Sequence, residues 1–178
     1  MTTRAFVGLA LPENVKTSLS ALQTGPRTAR WVNPNNFHIT LIFAGDLDVR
    51  QITDIDSTLS SLSQTSFSLV LSGSGFFGKK QPNSLWVGVA QNDPLSLLQS
   101  KIQTAVRRIP IDVQTRKYVP HVTLAYLKRA QREDAEQWCL INAMATVGPI
   151  PISEFHLYAS HLGKEGSHYE ILRSYELL

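Results

Sequence analysis

The sequence of 178 residues predicts a domain of mixed strands and helices whose two halves repeat one plan. Stretches with apolar side chains at every second position, typical of strands, alternate with stretches that repeat them every three or four residues, typical of helices. The order of these elements recurs at a nearly constant spacing: Pro12 to Pro94 is 82 residues, and His38 to His121 is 83. Such spacing indicates two copies of one unit, which we expect to pack as a pseudo-twofold pair around a shared cleft.

The first unit opens with a predicted strand and a predicted helix. Apolar side chains occupy both faces of the segment from Ala5 to Leu11, as in a strand that is covered on both sides. Pro12 suits the first turn of a helix, because an N–H at that position would have no partner within the helix. The stripe of apolar residues that follows it ends at Gly25-Pro26. A loop through Trp31 then leads to a second strand, from Phe37 to Ala44.

The first unit closes with a helix and a strand. Asp46 or Asp48 can cap this helix, whose apolar stripe lies between Val49 and Leu62. Apolar residues at Phe67, Leu69 and Leu71 alternate with Ser66, Ser68 and Ser72, which predicts a strand with one wet face. The end of this strand, Gly73 to Gly78, has no regular pattern.

The second unit repeats this order after an exposed connection at residues 79–83, so the sequence halves are about 1–80 and 84–178. We expect strands to cross between these halves, and residues 1–178 to form a single bilobal domain. The remaining predicted elements, in chain order, are a strand at 85–89, a helix starting at Asp93-Pro94, a strand at 121–127, a short helix at about 131–141, and strands at about 154–160 and 168–175.

The most specific feature of the sequence is the tetrapeptide His-x-Thr-Leu, which occurs once in each unit. The copies are His38–Leu41 and His121–Leu124, and each lies in an apolar run that favours a strand. A chain of this composition carries two copies by chance in roughly one sequence in a thousand. Side chains two apart on a strand share a face, so each copy presents an imidazole and a hydroxyl side by side, while its apolar residues turn into the core.

Two such pairs that face each other supply two proton-transfer groups and two hydroxyl donors around one small anion. An unperturbed imidazole has a pKa of about 6.5, so both protonation states exist near neutrality. Hydroxyl groups stabilise the charge that builds on phosphate oxygens. We therefore expect phosphodiester chemistry that needs no metal and no cofactor. The residues alone leave open which histidine is the acid and which is the base.

Composition places the chain among soluble globular proteins. Its hydrophobic fraction is 43% and its charged fraction 17%, and no run approaches the roughly 18 apolar residues of a membrane span. The formal net charge of +3 is compatible with an anionic substrate without establishing one. Cys139 is the single cysteine, so no internal disulfide can form and a reducing compartment is the default.

The apolar segment after Arg4 superficially resembles the core of a signal peptide. It runs straight into Pro12-Glu13 and offers no clear cleavage site, so we interpret it as a first strand. We expect a cytoplasmic, monomeric protein with no membrane partner.

With both motifs in place, the chain resembles the 2H phosphoesterases, specifically the RNA 2',3'-cyclic phosphodiesterases, also called 2'-5' RNA ligases. The resemblance covers nearly the whole chain. The segments that carry it are the strand and helix start at Leu11-Pro12, Trp31-Val32, Asn36–Leu41, Phe43–Gly45, Arg116–Leu124, Phe155–Ser160 and Gly166-x-x-Tyr169. The chain departs from the family pattern at Tyr126, where such proteins often carry arginine.

The resemblance implies an α+β fold, bilobal and pseudo-twofold, with two antiparallel sheets around a central cleft and helices on the outer faces. It also implies metal-independent hydrolysis of a terminal 2',3'-cyclic phosphate of RNA to a 2'-phosphate, and relatives join RNA ends in a 2'-5' linkage. By the same resemblance, His38 is expected to be the proton donor and His121 the proton acceptor. Thr40 and Thr123 are expected to bind the phosphate oxygens.

Further side chains near the motifs have two interpretations each. Arg116 can hold a phosphate of the substrate or remain a solvated surface charge. Trp31 can stack on a base, as aromatic residues do in single-strand recognition, or cap the core. Phe43 and Tyr126 lie five residues after their histidines, and this odd offset predicts the opposite face and core packing unless a bulge intervenes.

Two other functions remain open at this point. One is a phosphodiesterase of the same superfamily that acts on small nucleotides, such as a cyclic phosphate of ADP-ribose or 2'-5' oligonucleotides. The other is a non-catalytic module that binds RNA ends, in which the histidines only recognise phosphate. Sensitivity to salt and a preference for oligonucleotides favour an RNA enzyme over the first, and formation of product excludes the second.

Overall fold

The computed structural model describes residues 2–113, 117–163 and 166–178, and these residues form nine strands, four α-helices and a 3₁₀ turn at Pro34–Asn36. The strands are β1 (Thr3–Ala10), β2 (Ala29–Trp31), β3 (His38–Leu47), β4 (Phe67–Phe77), β5 (Ser84–Val89), β6 (His121–Leu127), β7 (Thr146–Ile152), β8 (Glu154–Gly163) and β9 (Gly166–Glu176). The helices are α1 (Glu13–Ser20), α2 (Val49–Ser60), α3 (Asp93–Val106) and α4 (Arg132–Ile141).

The strands form two antiparallel sheets. The first sheet has the strand order β3-β1-β8-β9, and the second has the order β2-β6-β5-β4-β7. The two strands that carry the His-x-Thr-Leu motifs, β3 and β6, contact each other across the junction of the sheets. The expected α+β fold with two antiparallel sheets is therefore confirmed.

The core lies between the sheets and the helices. Ile55 and Leu59 of α2 and Leu98 of α3 are fully buried there, together with alternate residues of the strands such as Val7 and Val87. Burying each of these aliphatic side chains stabilises the fold by about 1.5–3 kcal/mol. Because the helices cover this face, the opposite faces of both sheets are left to line the cleft.

A capping box fixes the start of α2 directly after β3. The Asp48 carboxylate accepts a hydrogen bond from the Gln51 N–H at 2.9 Å, and the Gln51 side chain accepts one from the Asp48 N–H at the same distance. These two bonds satisfy N–H groups that a helix start otherwise leaves unpaired. Of the two aspartates that the sequence offered as caps, Asp48 is therefore the one used.

The two sequence halves exchange strands, as expected. Strand β4 belongs to the first half but pairs with β5 in the second sheet, and β8 belongs to the second half but pairs with β1 in the first sheet. Each sheet therefore needs both halves of the chain. That residues 1–178 behave as a single domain stays a prediction.

Three segments without a strand prediction form strands. Residues 29–31, expected as a loop, form the short edge strand β2, and β7 occupies the other edge of the same sheet. Strand β7 contains Pro149 and Pro151, which an edge strand tolerates because proline cannot donate to a neighbouring strand. Strand β4 continues to Phe77 because a bulge at Gly73, with φ of +72°, interrupts the pairing without ending it.

Candidate active site

Each His-x-Thr-Leu motif begins a strand, and its polar residues face the cleft. His38 and Thr40 are half-buried on β3, and His121 and Thr123 are half-buried on β6. The residues between them are fully buried on the core side, for example Ile39 at 0% exposure. The predicted alternation of the motif, with imidazole and hydroxyl on one face, is therefore present in both strands.

The leucine of the first motif forms a bulge in β3. Thr40 is paired with Gly8 of β1, whereas Ile42 is paired with Val7, so Leu41 has no partner. The extra residue shifts the alternation of faces by one position, so two consecutive side chains, Leu41 and Ile42, are buried. Phe43 then faces the cleft and is 54% exposed.

The second motif has the same bulge at its own leucine. Thr123 is paired with Trp86 of β5, and Ala125 is paired with Leu85, so Leu124 has no partner. Tyr126 consequently faces the cleft and is 46% exposed. The expectation that Phe43 and Tyr126 pack in the core is wrong, because a bulge reverses the face that the sequence offset predicts.

A backbone carbonyl orients the His38 imidazole. Nδ1 of His38 lies 2.7 Å from the carbonyl oxygen of Asn36. A carbonyl only accepts hydrogen bonds, so Nδ1 carries a proton. Nε2 is then the nitrogen that gains or loses a proton, and in the neutral ring it accepts a hydrogen bond from the Thr40 hydroxyl at 3.0 Å.

The His121 imidazole is held in the same way. Its Nδ1 lies 2.6 Å from the carbonyl oxygen of Val119, again two residues earlier in the chain. Both rings therefore present Nε2 to the cleft, in the tautomer set by the bond at the other nitrogen. The motifs differ at the threonine, since the described hydrogen bonds include a ring-to-hydroxyl bond for Thr40 and none for Thr123.

Aromatic side chains surround the His38 ring. Phe6 lies against it with ring centroids 4.7 Å apart, and Tyr169 of β9 meets it edge-on at 5.0 Å. Phe6 in turn stacks on Tyr158 of β8 at 4.8 Å. These contacts fix the plane of the imidazole and exclude water from one side of it.

The His121 ring has an aromatic wall of its own. Phe77 of β4 meets it edge-on with centroids 4.9 Å apart, and Trp86 of β5 lies 5.9 Å away. Trp86 alternates along β5 with the buried Leu85 and Val87, so its position on the cleft face is readable from the strand pattern. Its contact with His121 depends on pairing between distant segments and was not predicted.

The two imidazoles interact with each other through their charges. Burial lowers the pKa of His38, and a positive charge on His121 lowers it further, while the hydrogen bond to Asn36 opposes both effects. Burial also lowers the pKa of His121, opposed by its bond to Val119. The effect of His121 on His38 requires the rings to be close, and β3 and β6 contact each other, so the structure brings both motifs into one site.

Of the two other residues predicted to contact the substrate, the structure describes only Trp31. Trp31 lies on β2 and packs half-buried against the core, which favours the core-packing interpretation. Arg116 lies outside the described residues. Sequence reasoning overlooked Arg30, next to Trp31 in the chain, which projects towards the cleft face from β2 and is exposed.

Within the described ranges, no group of three or more His, Cys, Asp or Glu side chains has the arrangement of a metal site. Among the same residues, no helix combines the length and the hydropathy needed to cross a membrane.

Comparison with known proteins finds one family over most of the chain. The model of the 2'-5' RNA ligase superfamily matches residues 12–164. The RNA 2',3'-cyclic phosphodiesterase of Thermotoga maritima is 28% identical over 178 residues, which cover 95% of this chain and 92% of that protein. The RNA 2',3'-cyclic phosphodiesterase of Aeropyrum pernix is 30% identical over 145 residues, which cover 79% and 82% of the two chains.

Solved structures share the fold along its whole length. The crystal structure of Escherichia coli LigT complexed with 3'-AMP superposes with a TM-score of 0.81 and 23% sequence identity, and the match covers 99% of both chains. The strand exchange between the two halves therefore belongs to an architecture that is already known.

Proposed function

Because the chain belongs to the 2'-5' RNA ligase superfamily, we propose that it is a metal-independent RNA 2',3'-cyclic phosphodiesterase that uses the two motif histidines. Its curated relatives carry the name RNA 2',3'-cyclic phosphodiesterase, which makes the chain a hydrolase of phosphodiester bonds. The observation that supports the specific mechanism is the contact between β3 and β6, which brings together two imidazoles that are each held by a carbonyl at Nδ1.

The reaction needs one proton removed and one delivered. We assign His121 as the base: its Nε2 takes a proton from water as the water oxygen attacks the phosphorus. His38 is the acid: its Nε2 gives a proton to the 3' oxygen as the bond from that oxygen to phosphorus breaks. The products are a 2'-phosphate and a free 3' hydroxyl, and the two histidines have exchanged protonation states.

The threonine hydroxyls are assigned to the non-bridging phosphate oxygens. Hydrogen-bond donors aimed at these oxygens stabilise the charge that builds there in the transition state. The hydroxyl of Thr40 bonds to His38 in the free protein, so binding of the substrate must turn it towards the phosphate. Thr123 has no such bond among the described contacts and is available without rearrangement.

The test is hydrolysis of an oligoribonucleotide with a terminal 2',3'-cyclic phosphate in the presence of EDTA. We expect a 2'-phosphate product. His38→Ala and His121→Ala should each lower kcat by at least about 100-fold, the lower end of the contribution that a positioned proton-transfer group makes. His161→Ala is the matched control, because this exposed histidine bonds to Glu170 on the β8–β9 hairpin.

Two outcomes would contradict this proposal. Loss of all activity on chelation, with recovery on addition of Zn²⁺ or Mn²⁺, would overturn the metal-free mechanism. Near-normal turnover by either single histidine variant would overturn the assignment of both histidines to proton transfer.

Joining of RNA ends is proposed as the second reaction of the same site. A ribose 5' hydroxyl can replace water as the nucleophile, with the same two proton transfers, and the product is a 2'-5' linkage. Adding an oligoribonucleotide with a 5' hydroxyl to the hydrolysis assay should then yield a joined product that requires both His38 and His121.

A further inference from the structure

Arg30 is an exposed cation held at the rim of the cleft. It lies at the centre of β2, directly opposite Tyr126 of β6 in the antiparallel pairing. Its neighbours Ala29 and Trp31 pack against the core, so the alternation of the strand turns Arg30 to the cleft face. The guanidinium carbon stands 5.6 Å from the centroid of the Tyr126 ring, within the range of a cation–π contact.

Tyr126 connects this arginine to the histidine site. The bulge at Leu124 places the Tyr126 ring on the same face as His121 and Thr123. Across the cleft, Tyr169 of the first sheet meets the His38 ring edge-on at 5.0 Å. The pKa of Tyr169 is raised chiefly by burial and further by the nearby Tyr126, so the two tyrosines approach each other from opposite sheets.

The charge of Arg30 is open to a ligand. Among the described residues, no carboxylate oxygen lies within 4 Å of its guanidinium, whereas Arg132 is paired with Glu136 and Arg173 with Asp56. The guanidinium is planar, and its fork of donors matches the oxygens of a phosphate.

We propose that Arg30, supported by Tyr126, binds a backbone phosphate of the RNA strand next to the nucleotide that reacts. This inference rests on the proposed function. Tyr126 lies five residues after His121 on the bulged strand β6, which corresponds to about 13–16 Å at about 3.3 Å per residue, so we assign to Arg30 a phosphate next to the reacting one. The strand that leaves the two histidines passes this rim, and Arg30 makes the enzyme favour an oligonucleotide end over a mononucleotide.

The experiment compares two substrates and three variants. The substrates are an oligoribonucleotide with a terminal 2',3'-cyclic phosphate and a mononucleoside 2',3'-cyclic phosphate. The variants are Arg30→Ala, Arg30→Lys and Arg50→Ala. Arg50 is the matched control, because it is an exposed arginine on α2, in the helical layer behind the first sheet.

We expect Arg30→Ala to lower kcat/KM about tenfold for the oligonucleotide, mostly through KM, and to leave the mononucleotide within twofold. Arg30→Lys should recover part of the loss, because lysine keeps the charge but not the planar fork. The plot of log kcat/KM against log salt should become shallower by about 0.7 for the oligonucleotide, the value for one phosphate contact on a single strand.

A binding measurement separates this inference from the proposed function. An oligoribonucleotide that ends in a 2'-phosphate, with a fluorescent label at its 5' end, should bind Arg30→Ala about tenfold more weakly than the unmodified chain. Equal affinity, equal losses on both substrates, or no effect beyond that of Arg50→Ala would each overturn the role of Arg30. If the unmodified chain opens neither cyclic phosphate, the proposed function fails instead, and a binding loss in Arg30→Ala would then assign Arg30 to RNA binding alone.

Discussion

At the scale of single residues, one hydrogen bond decides which nitrogen of each catalytic candidate meets the substrate. His38 and His121 each give their Nδ1 proton to a carbonyl two residues earlier in the chain. This bond fixes the ring and leaves Nε2 as the nitrogen that titrates. The carbonyl comes from the end of a 3₁₀ turn (Pro34–Asn36) before β3 and from the loop before β6. The position of each histidine at the first residue of its strand is therefore part of the site.

The environment of the two rings has a consequence for the pH dependence. Burial lowers the pKa of both imidazoles. A lowered pKa means that the base stays neutral down to a lower pH, and that the acid loses its proton at a lower pH. Both limbs of the rate profile therefore move in the acidic direction from the ordinary histidine value of about 6.5.

We expect the profile of kcat/KM in EDTA to be bell-shaped, with both inflections below pH about 6.5, because kcat/KM reports the free enzyme. The profile of kcat should lie at higher pH, since a bound phosphate anion favours the imidazolium form. Steady-state kinetics with the oligonucleotide substrate from about pH 4 to about pH 9, which spans the titration range of histidine, measure both profiles. His161→Ala is the control. An inflection of kcat/KM well above 6.5 on the alkaline side would contradict the effect of burial.

At the scale of elements, the bulge at the leucine of each motif determines which later side chains of the strand reach the cleft. The leucine of each motif is the residue without a partner, and the next residue, Ile42 or Ala125, is also buried. The bulge buries two side chains in succession and then returns the strand to the cleft face. A histidine strand thus presents three groups to the cleft, namely imidazole, hydroxyl and an aromatic ring.

Side chains of the neighbouring strands support the histidine rings, and two glycines leave room for the largest of these side chains, Trp86. A Cβ added at Gly75 of β4 would overlap the Cζ2 and Cη2 carbons of Trp86, and one at Gly88 of β5 would come within 3.3 Å of the same ring. Trp86 therefore lies flat over the backbone of its own strand and its neighbour. The same ring lies beside Phe77 and His121, with centroid distances of 5.2 Å and 5.9 Å.

We predict that Gly75→Ala displaces Trp86 and so disturbs the orientation of His121. The free energy of unfolding should fall by about 1–3 kcal/mol, the usual cost of overpacking, and kcat should fall with little change in KM. Chemical denaturation, Trp fluorescence and hydrolysis assays measure these effects. Ser72→Ala, an exposed change on the same strand, is the control.

A double variant shows whether Trp86 causes the effect. Replacing the indole by the smaller ring in Trp86→Phe should relieve the overlap, so that Gly75→Ala costs less stability in this background than in the unmodified chain. A coupling energy near zero in this cycle would mean that Gly75 acts independently of Trp86.

At the scale of the whole molecule, the exchange of β4 and β8 makes the two halves of the chain interdependent. The central strand of the first half, β1, pairs with β8 of the second half, and β5 of the second half pairs with β4 of the first. Neither sheet can be completed by the strands of one half alone. The cleft therefore lies between two sheets that each contain strands of both halves.

We expect the full chain to unfold in one cooperative transition. All three tryptophans, Trp31, Trp86 and Trp138, lie in or beside the second sheet, so their fluorescence reports that sheet, whereas far-UV circular dichroism reports both. The two melting curves should coincide, and the calorimetric and van't Hoff enthalpies should agree. Two separate transitions would show that the sheets are independent domains.

The sequence by itself determined the repeated order of elements and the face of each motif. Alternation and helical periodicity are local signals, so β3, β6 and the four helices were predictable within a few residues. The pairing of two histidines 83 residues apart followed from the repeat and the family resemblance, because a specific motif that occurs twice is a strong signal even without contact information.

Only the tertiary structure decided which other side chains join the site. Phe43 and Tyr126 were assigned to the core from an odd offset, and a bulge, which depends on the partner strand, places them in the cleft. Arg30 lies in a segment of three residues that forms a strand only because β6 provides an edge to pair with. Long-range pairing sets both features, and no local pattern of the chain encodes where its partner strand will lie.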